Sequence, residues 1–193
     1  MPHYCSLRIK RSDLSRSRFL DFLHSLTLHR VALQRKPVDN CLEGCWRIHS
    51  GWMTTSLKLD DAAPVTTIDE ARERVGELVG QANRRQLWLM LLDANGIQLP
   101  ILIPVDGLPL RPEQGDVGSI AASINEILTE QAPGGSVILT LERPGTAALT
   151  APDQAWAREL NASFGKVMRI AGMFVAHDEG VCELRTTVGR PAS

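Results

Sequence analysis

From Thr67 onward, the hydrophobic positions of this chain repeat with periods that predict secondary structure. Ile68, Ala71, Val75, Leu78, Val79 and Ala82 recur at helical spacing behind Thr67-Ile-Asp-Glu70, which has the form of a capping box. The pattern predicts an amphipathic helix reaching about Gln81, weakened slightly by Gly76 and Gly80. Leu87 to Leu92 is continuously apolar, as in a strand buried on both faces. Asp93-Ala-Asn-Gly96 reads as a turn, and Ile97 to Val105 resumes the apolar run, so the segment predicts a hairpin. Pro100 and Pro104 have no N–H to give a ladder, which predicts that the second strand lies at an edge or carries a bulge.

After Asp106-Gly-Leu-Pro109, Asp116 is placed to cap a second helix with Val117, Ile120, Ile124, Ile127 and Leu128 as its buried stripe. Ala132-Pro-Gly-Gly135 stops that helix. Ser136 to Leu141 is the next strand, and Arg143-Pro-Gly-Thr opens a loop that runs to Thr150. Thr150-Ala-Pro-Asp153 is a second capping box, with Pro in the first turn, where its missing N–H costs nothing. Trp156, Leu160, Phe164 and Val167 mark the inner face of a third helix. A strand over Ile170 to Ala176, a turn over His177-Asp-Glu-Gly180 and a strand over Val181 to Leu184 complete the order. This order predicts one α/β (α+β) domain over residues 67–185, a mixed sheet flanked by helices. Residues 53–66 form its lead-in and 186–193 read as a disordered tail.

Composition adds a boundary. With 44% hydrophobic and 22% charged residues the chain can bury a core. The net charge of −1 hides a split: residues 1–52 hold nine Lys/Arg and four Asp/Glu (+5), the remainder twelve and eighteen (−6). His3, His24, His29 and His49 and Cys5, Cys41 and Cys45 also precede Met53. The switch at Met53 predicts that 1–52 is a basic extension, poorly ordered or not part of the functional protein, with Met53 as a natural start. A nucleic-acid-binding arm built on Arg8, Lys10, Arg11, Arg16 and Arg18 is a second reading. An amphipathic helix through Phe19, Phe22, Leu23 and Leu26 is a third. Cys41, Cys45 and His49 could supply three zinc ligands, with Cys5 or His3 as the fourth. No run approaches the roughly 20 apolar residues of a membrane span. No signal peptide is recognisable and four scattered cysteines make no disulfide framework, so the reading is cytoplasmic with no membrane partner.

Motifs that would announce chemistry are missing from the domain. There is no phosphate loop, no dinucleotide fingerprint and no nucleophile elbow, and the domain's only histidine and cysteine are His177 and Cys182. No cofactor is called for. His177-Asp178 reads as a solvated turn, Asp93 and Asp106 as turn formers, and Glu142-Arg143 as a local ion pair or a helix-terminus contact.

The element order and the segment Leu139-Thr-Leu-Glu-Arg-Pro-Gly-Thr-Ala-Ala-Leu-Thr-Ala-Pro-Asp153 resemble the RadC branch of the JAB/MPN metalloprotease-like fold. The similarity spans Leu87 to Leu184. A cytidine-deaminase-like layering accommodates the same order, although the deaminase zinc motif is absent. In RadC-like domains a His-x-His-Pro-Ser-Gly loop and an Asp opening the next helix hold zinc, and an upstream Glu is the general base. Matched on the proline, Leu141 and Arg143 stand at the histidine positions, and Asp153 is the one ligand position still filled. The general-base position falls on Arg84-Arg85-Gln86. Leu cannot ligate zinc and Arg stays protonated, so the resemblance implies a metal-free domain without hydrolase activity. It also implies a binding or protein-interaction module, with Glu142, Arg143, Thr146 and Asp153 lining the former groove for a peptide, small ligand or protein partner. The proline-bearing strand is the expected contact edge. Two alternatives stand beside it: a metal-assisted hydrolase using Asp93, Glu142 and Asp153, and a nucleic-acid binder working through the basic arm.

Overall fold

The computed structural model describes residues 63–80, 82–113 and 116–186, together with two short strands near the N-terminus. The strands are β1 (Cys5–Ser6), β2 (Ile9–Lys10), β3 (Gln86–Leu92), β4 (Gln98–Asp106), β5 (Ser136–Glu142), β6 (Arg169–His177) and β7 (Gly180–Glu183). The helices among these residues are α1 (Ile68–Val79), α2 (Asp116–Gln131) and α3 (Ala151–Phe164). The basic arm, the Cys41/Cys45/His49 set, Met53 and the side chain of Asp116 lie outside the described residues.

All strands join one mixed sheet in the order β4-β3-β5-β6-β7, with β1 and β2 both pairing in parallel along the outer side of β4. β3 is antiparallel to β4 and β5, β5 is parallel to β6, and β7 folds back antiparallel on β6. Strand alternation then sorts the side chains onto two faces. Leu87, Leu89, Leu91, Val137, Leu139, Leu141 and Val175 pack under α2 and α3. Met90, Leu92, Ile138 and Phe174 pack under Ala71 and Val75 of α1. Helices thus cover both faces, which explains why the two central strands are apolar without alternation.

Both predicted capping boxes form. The Thr67 hydroxyl accepts from the Glu70 N–H, while the Glu70 carboxylate accepts from the N–H groups of Thr66 and Thr67. Those bonds lower the Glu70 pKa to about 2. At α3, Thr150 and Asp153 exchange the same pair of bonds. Asp93 makes the predicted turn, its carboxylate accepting from the N–H groups of Asn95 and Ile97.

Three expectations are corrected. α1 stops at Val79 because Gly80 adopts φ +65, which ends the helix before Gln81. Val167 is not on the inner face of α3: the helix ends at Phe164, Gly165 caps it, and Val167 sits 43% exposed in the following turn. The outer side of β4 is not an open edge, since β1 and β2 pair there at Ile101–Leu102 and Val105–Asp106. The expected bulge is present on β4: Met90 pairs with Leu102 and Leu92 with Gln98, so Leu99, Pro100 and Ile101 stand opposite Leu91 alone.

Leu139 lies fully buried on the central strand between β3 and β6. Leu139→Ala is expected to lower unfolding free energy by about 2–5 kcal/mol, read as a fall in urea midpoint at unchanged slope.

Candidate functional site

The carboxyl end of β5, the loop that follows and the start of α3 meet at one end of the sheet, outside the parallel strand pair, where α/β sheets commonly bind ligands. Alternation makes neighbours diverge there. Glu142 faces the α1 side together with Gln86 and Trp88, whereas Arg143 faces the α3 side with Leu141.

Glu142 is buried, and its carboxylate is met by N–H donors on both oxygens. The Asn83 N–H reaches Oε1 at 2.8 Å and the Arg84 N–H at 3.3 Å. The indole N–H of Trp88 reaches Oε2 at 2.8 Å, and the Gln86 amide also donates to Oε2. All four donors are neutral groups, so the side chain is held by hydrogen bonds and ties the α1–β3 connection to the sheet. The expected Glu142–Arg143 ion pair does not form, because the two side chains leave opposite faces.

Arg143 instead pairs with Asp153. Its Nε lies 3.3 and 3.1 Å from the two carboxylate oxygens, and its Nη2 lies 3.0 Å from Oδ2. Nη1 and Nη2 also donate to the carbonyls of Thr146 (2.7 Å) and Ala148 (2.9 Å). Burial pushes the Asp153 carboxyl up, but the bonds from Arg143 and Thr150 outweigh it and hold the pKa below the usual carboxylate value. Thr146 contributes its backbone carbonyl to this cluster. The structure therefore brings Arg143, Asp153 and the Thr146 carbonyl together and sets the Glu142 carboxylate on the other face.

Asp93 is remote from both carboxylates. It follows Leu92, which pairs with Ser136 at the start of β5, while Glu142 and Asp153 belong to the far end of that strand. The three carboxylates of the hydrolase alternative do not converge. Among the described residues no three His, Cys, Asp or Glu side chains form a group able to hold a metal. His177 is buried rather than solvated: it ends β6, and its Nδ1 accepts from the Glu179 N–H. The Cys182 thiol on β7 is pushed up in pKa by burial, with Arg143 opposing, which is not the setting of an activated nucleophile.

An open depression of about 470 Å³ lies between α1 and β7, lined by Asp69, Glu73, Gly76, Gly80 and Val181 among others, and none of the candidate residues reaches it. Among the described residues no helix is long and apolar enough to cross a membrane. Comparisons with protein-family models, curated proteins and solved structures return no significant match to this chain.

Arg85 belongs to this cluster although the resemblance marks its position only by a missing carboxylate. Arg85 precedes β3 by one residue and interacts electrostatically with both Asp153 and Arg143. No local pattern in the sequence marks it, because its neighbourhood depends on how β3 pairs with β5.

Arg143→Ala would strand the buried Asp153 carboxylate and is expected to cost about 3–5 kcal/mol of stability, measured by chemical denaturation. The Asp153 pKa is lower in the folded than in the unfolded chain. Its contribution is therefore complete above the unfolded value of about 4 and is lost as pH falls through the folded one. Asp153→Asn should flatten the loss of stability below about pH 4, leaving the slope due to Glu70.

Proposed function

We propose that this is a non-catalytic binding or protein-interaction module with a JAB/RadC-like layout, in which an internal guanidinium stands where a metal ion would be. The observation that carries the reading is the Arg143–Asp153 pair. Asp153 is the one position matching a zinc ligand, and its carboxylate is fully engaged by Arg143 and by the Thr150 N–H. Arg143 is a fixed cation that neither ligates a metal nor lowers the pKa of a bound water.

The binding role rests on the loop between β5 and α3. Its side chains from Thr146 to Thr150 are exposed, yet its backbone is pinned from within by Arg143 at two carbonyls. The carboxylate of Asp178 also accepts from the Gly145 N–H at 3.0 Å. A loop that is exposed and also held in one conformation loses little entropy when a ligand docks on it.

The full chain, dialysed against a chelator and analysed for metal, is expected to retain no stoichiometric zinc, and added zinc is expected to leave its Tm unchanged. One equivalent of zinc held against the chelator would overturn the reading.

A further inference from the structure

We propose that the sheet end carrying Arg85, Arg143 and His177 binds an oxyanion, a phosphate or carboxylate group presented by a ligand, with the Arg85 guanidinium as its main contact. This deepens the binding-module reading and rests on it.

Gln86 pairs with Glu142 and Leu87 with Leu141, so one further step along the same register sets Arg85 opposite Arg143. The Arg143 N–H bonds the Ala176 carbonyl, which carries the β5–β6 ladder one step past Glu142 and sets His177 beside Arg143. All three continue the face that packs on α2 and α3. Two guanidiniums opposite one another on adjacent strands repel unless an anion compensates both. Among the described residues the carboxylate that acts electrostatically on both is Asp153, and it is committed to Arg143.

Arg143 is satisfied by Asp153 and two carbonyls. Arg85 is not: its Nη1 is buried and has no hydrogen-bond partner among the described residues. Burial works against its charged form, Asp153 favours that form, and Arg143 works against it. Because a guanidinium does not give up its proton in a protein, Arg85, Arg143 and Asp153 together carry one net positive charge at a half-buried site. The planar fork of N–H donors matches two oxygens of a phosphate or carboxylate. His177 adds a donor to the row, since a neutral imidazole that accepts at Nδ1 carries its proton on Nε2.

The test titrates the full chain with inorganic phosphate at constant ionic strength balanced by chloride, following Tm. Phosphate is expected to raise Tm saturably, by several degrees over matched chloride. The rise should vanish in Arg85→Gln and persist in Arg84→Gln, whose side chain is exposed and, among the described residues, bonded only to Asn83. Without phosphate, Arg85→Gln is expected to be at least as stable as the parent. Equal Tm values in phosphate and chloride, or an undiminished response in Arg85→Gln, would overturn the proposal. Should that variant not fold, the Arg85 Nε–Hε resonance of the parent decides: a saturable shift with phosphate supports the site and an unmoved resonance refutes it. A flat phosphate titration leaves the non-catalytic reading standing. Tightly held zinc defeats that reading whatever phosphate does.

Discussion

Within the interior of this domain the Arg143 guanidinium lies against the Asp153 carboxylate, and three segments meet at that contact. Arg143 ends the ladder of β5, Asp153 is the N3 residue of α3, and the carbonyls of Thr146 and Ala148 belong to the loop between them. A buried ion pair contributes little net stability on average, because desolvation offsets the attraction. Here Arg143 also donates to two backbone carbonyls, and Asp153 also accepts from the Thr150 N–H. The pair therefore acts chiefly as a positional constraint, fixing the direction in which the chain leaves the sheet and enters the helix. Losing one partner would leave the other charged, buried and unanswered.

The neighbouring residue solves the same problem differently. Glu142 is equally buried but faces the opposite side, where neutral N–H groups from the α1–β3 connection and from β3 surround it. Successive charged residues thus anchor two loops on two faces of one sheet end, one by charge pairing and one by hydrogen bonding. Both carboxylates are met by donors of the chain itself. Arg85 is the exception in this group: it interacts electrostatically with an ion pair that has already closed, and its buried Nη1 has no hydrogen-bond partner among the described residues.

Much of the architecture was legible from local chemistry. Capping boxes at Thr67 and Thr150, the Asp93 turn and the unbroken apolar run of β3 from Leu87 to Leu92 depend on residues within a few positions of one another, and all four are as expected. The limits of α1 and α3 were overrun because helical periodicity does not register where a glycine halts the helix. Val167 keeps the spacing of the α3 stripe and yet lies beyond its end.

By itself, then, the sequence determined the elements and their order, since hydrophobic periodicity and capping are local properties. Only the tertiary structure decided which charges meet. Arg143 is adjacent to Glu142 in sequence and ten residues from Asp153, but strand alternation turns it away from the first and the β5–α3 loop returns the second to it. It also decided that Arg85, remote in sequence, comes within electrostatic reach of Arg143, because that depends on the register of β3 against β5, which no local pattern encodes.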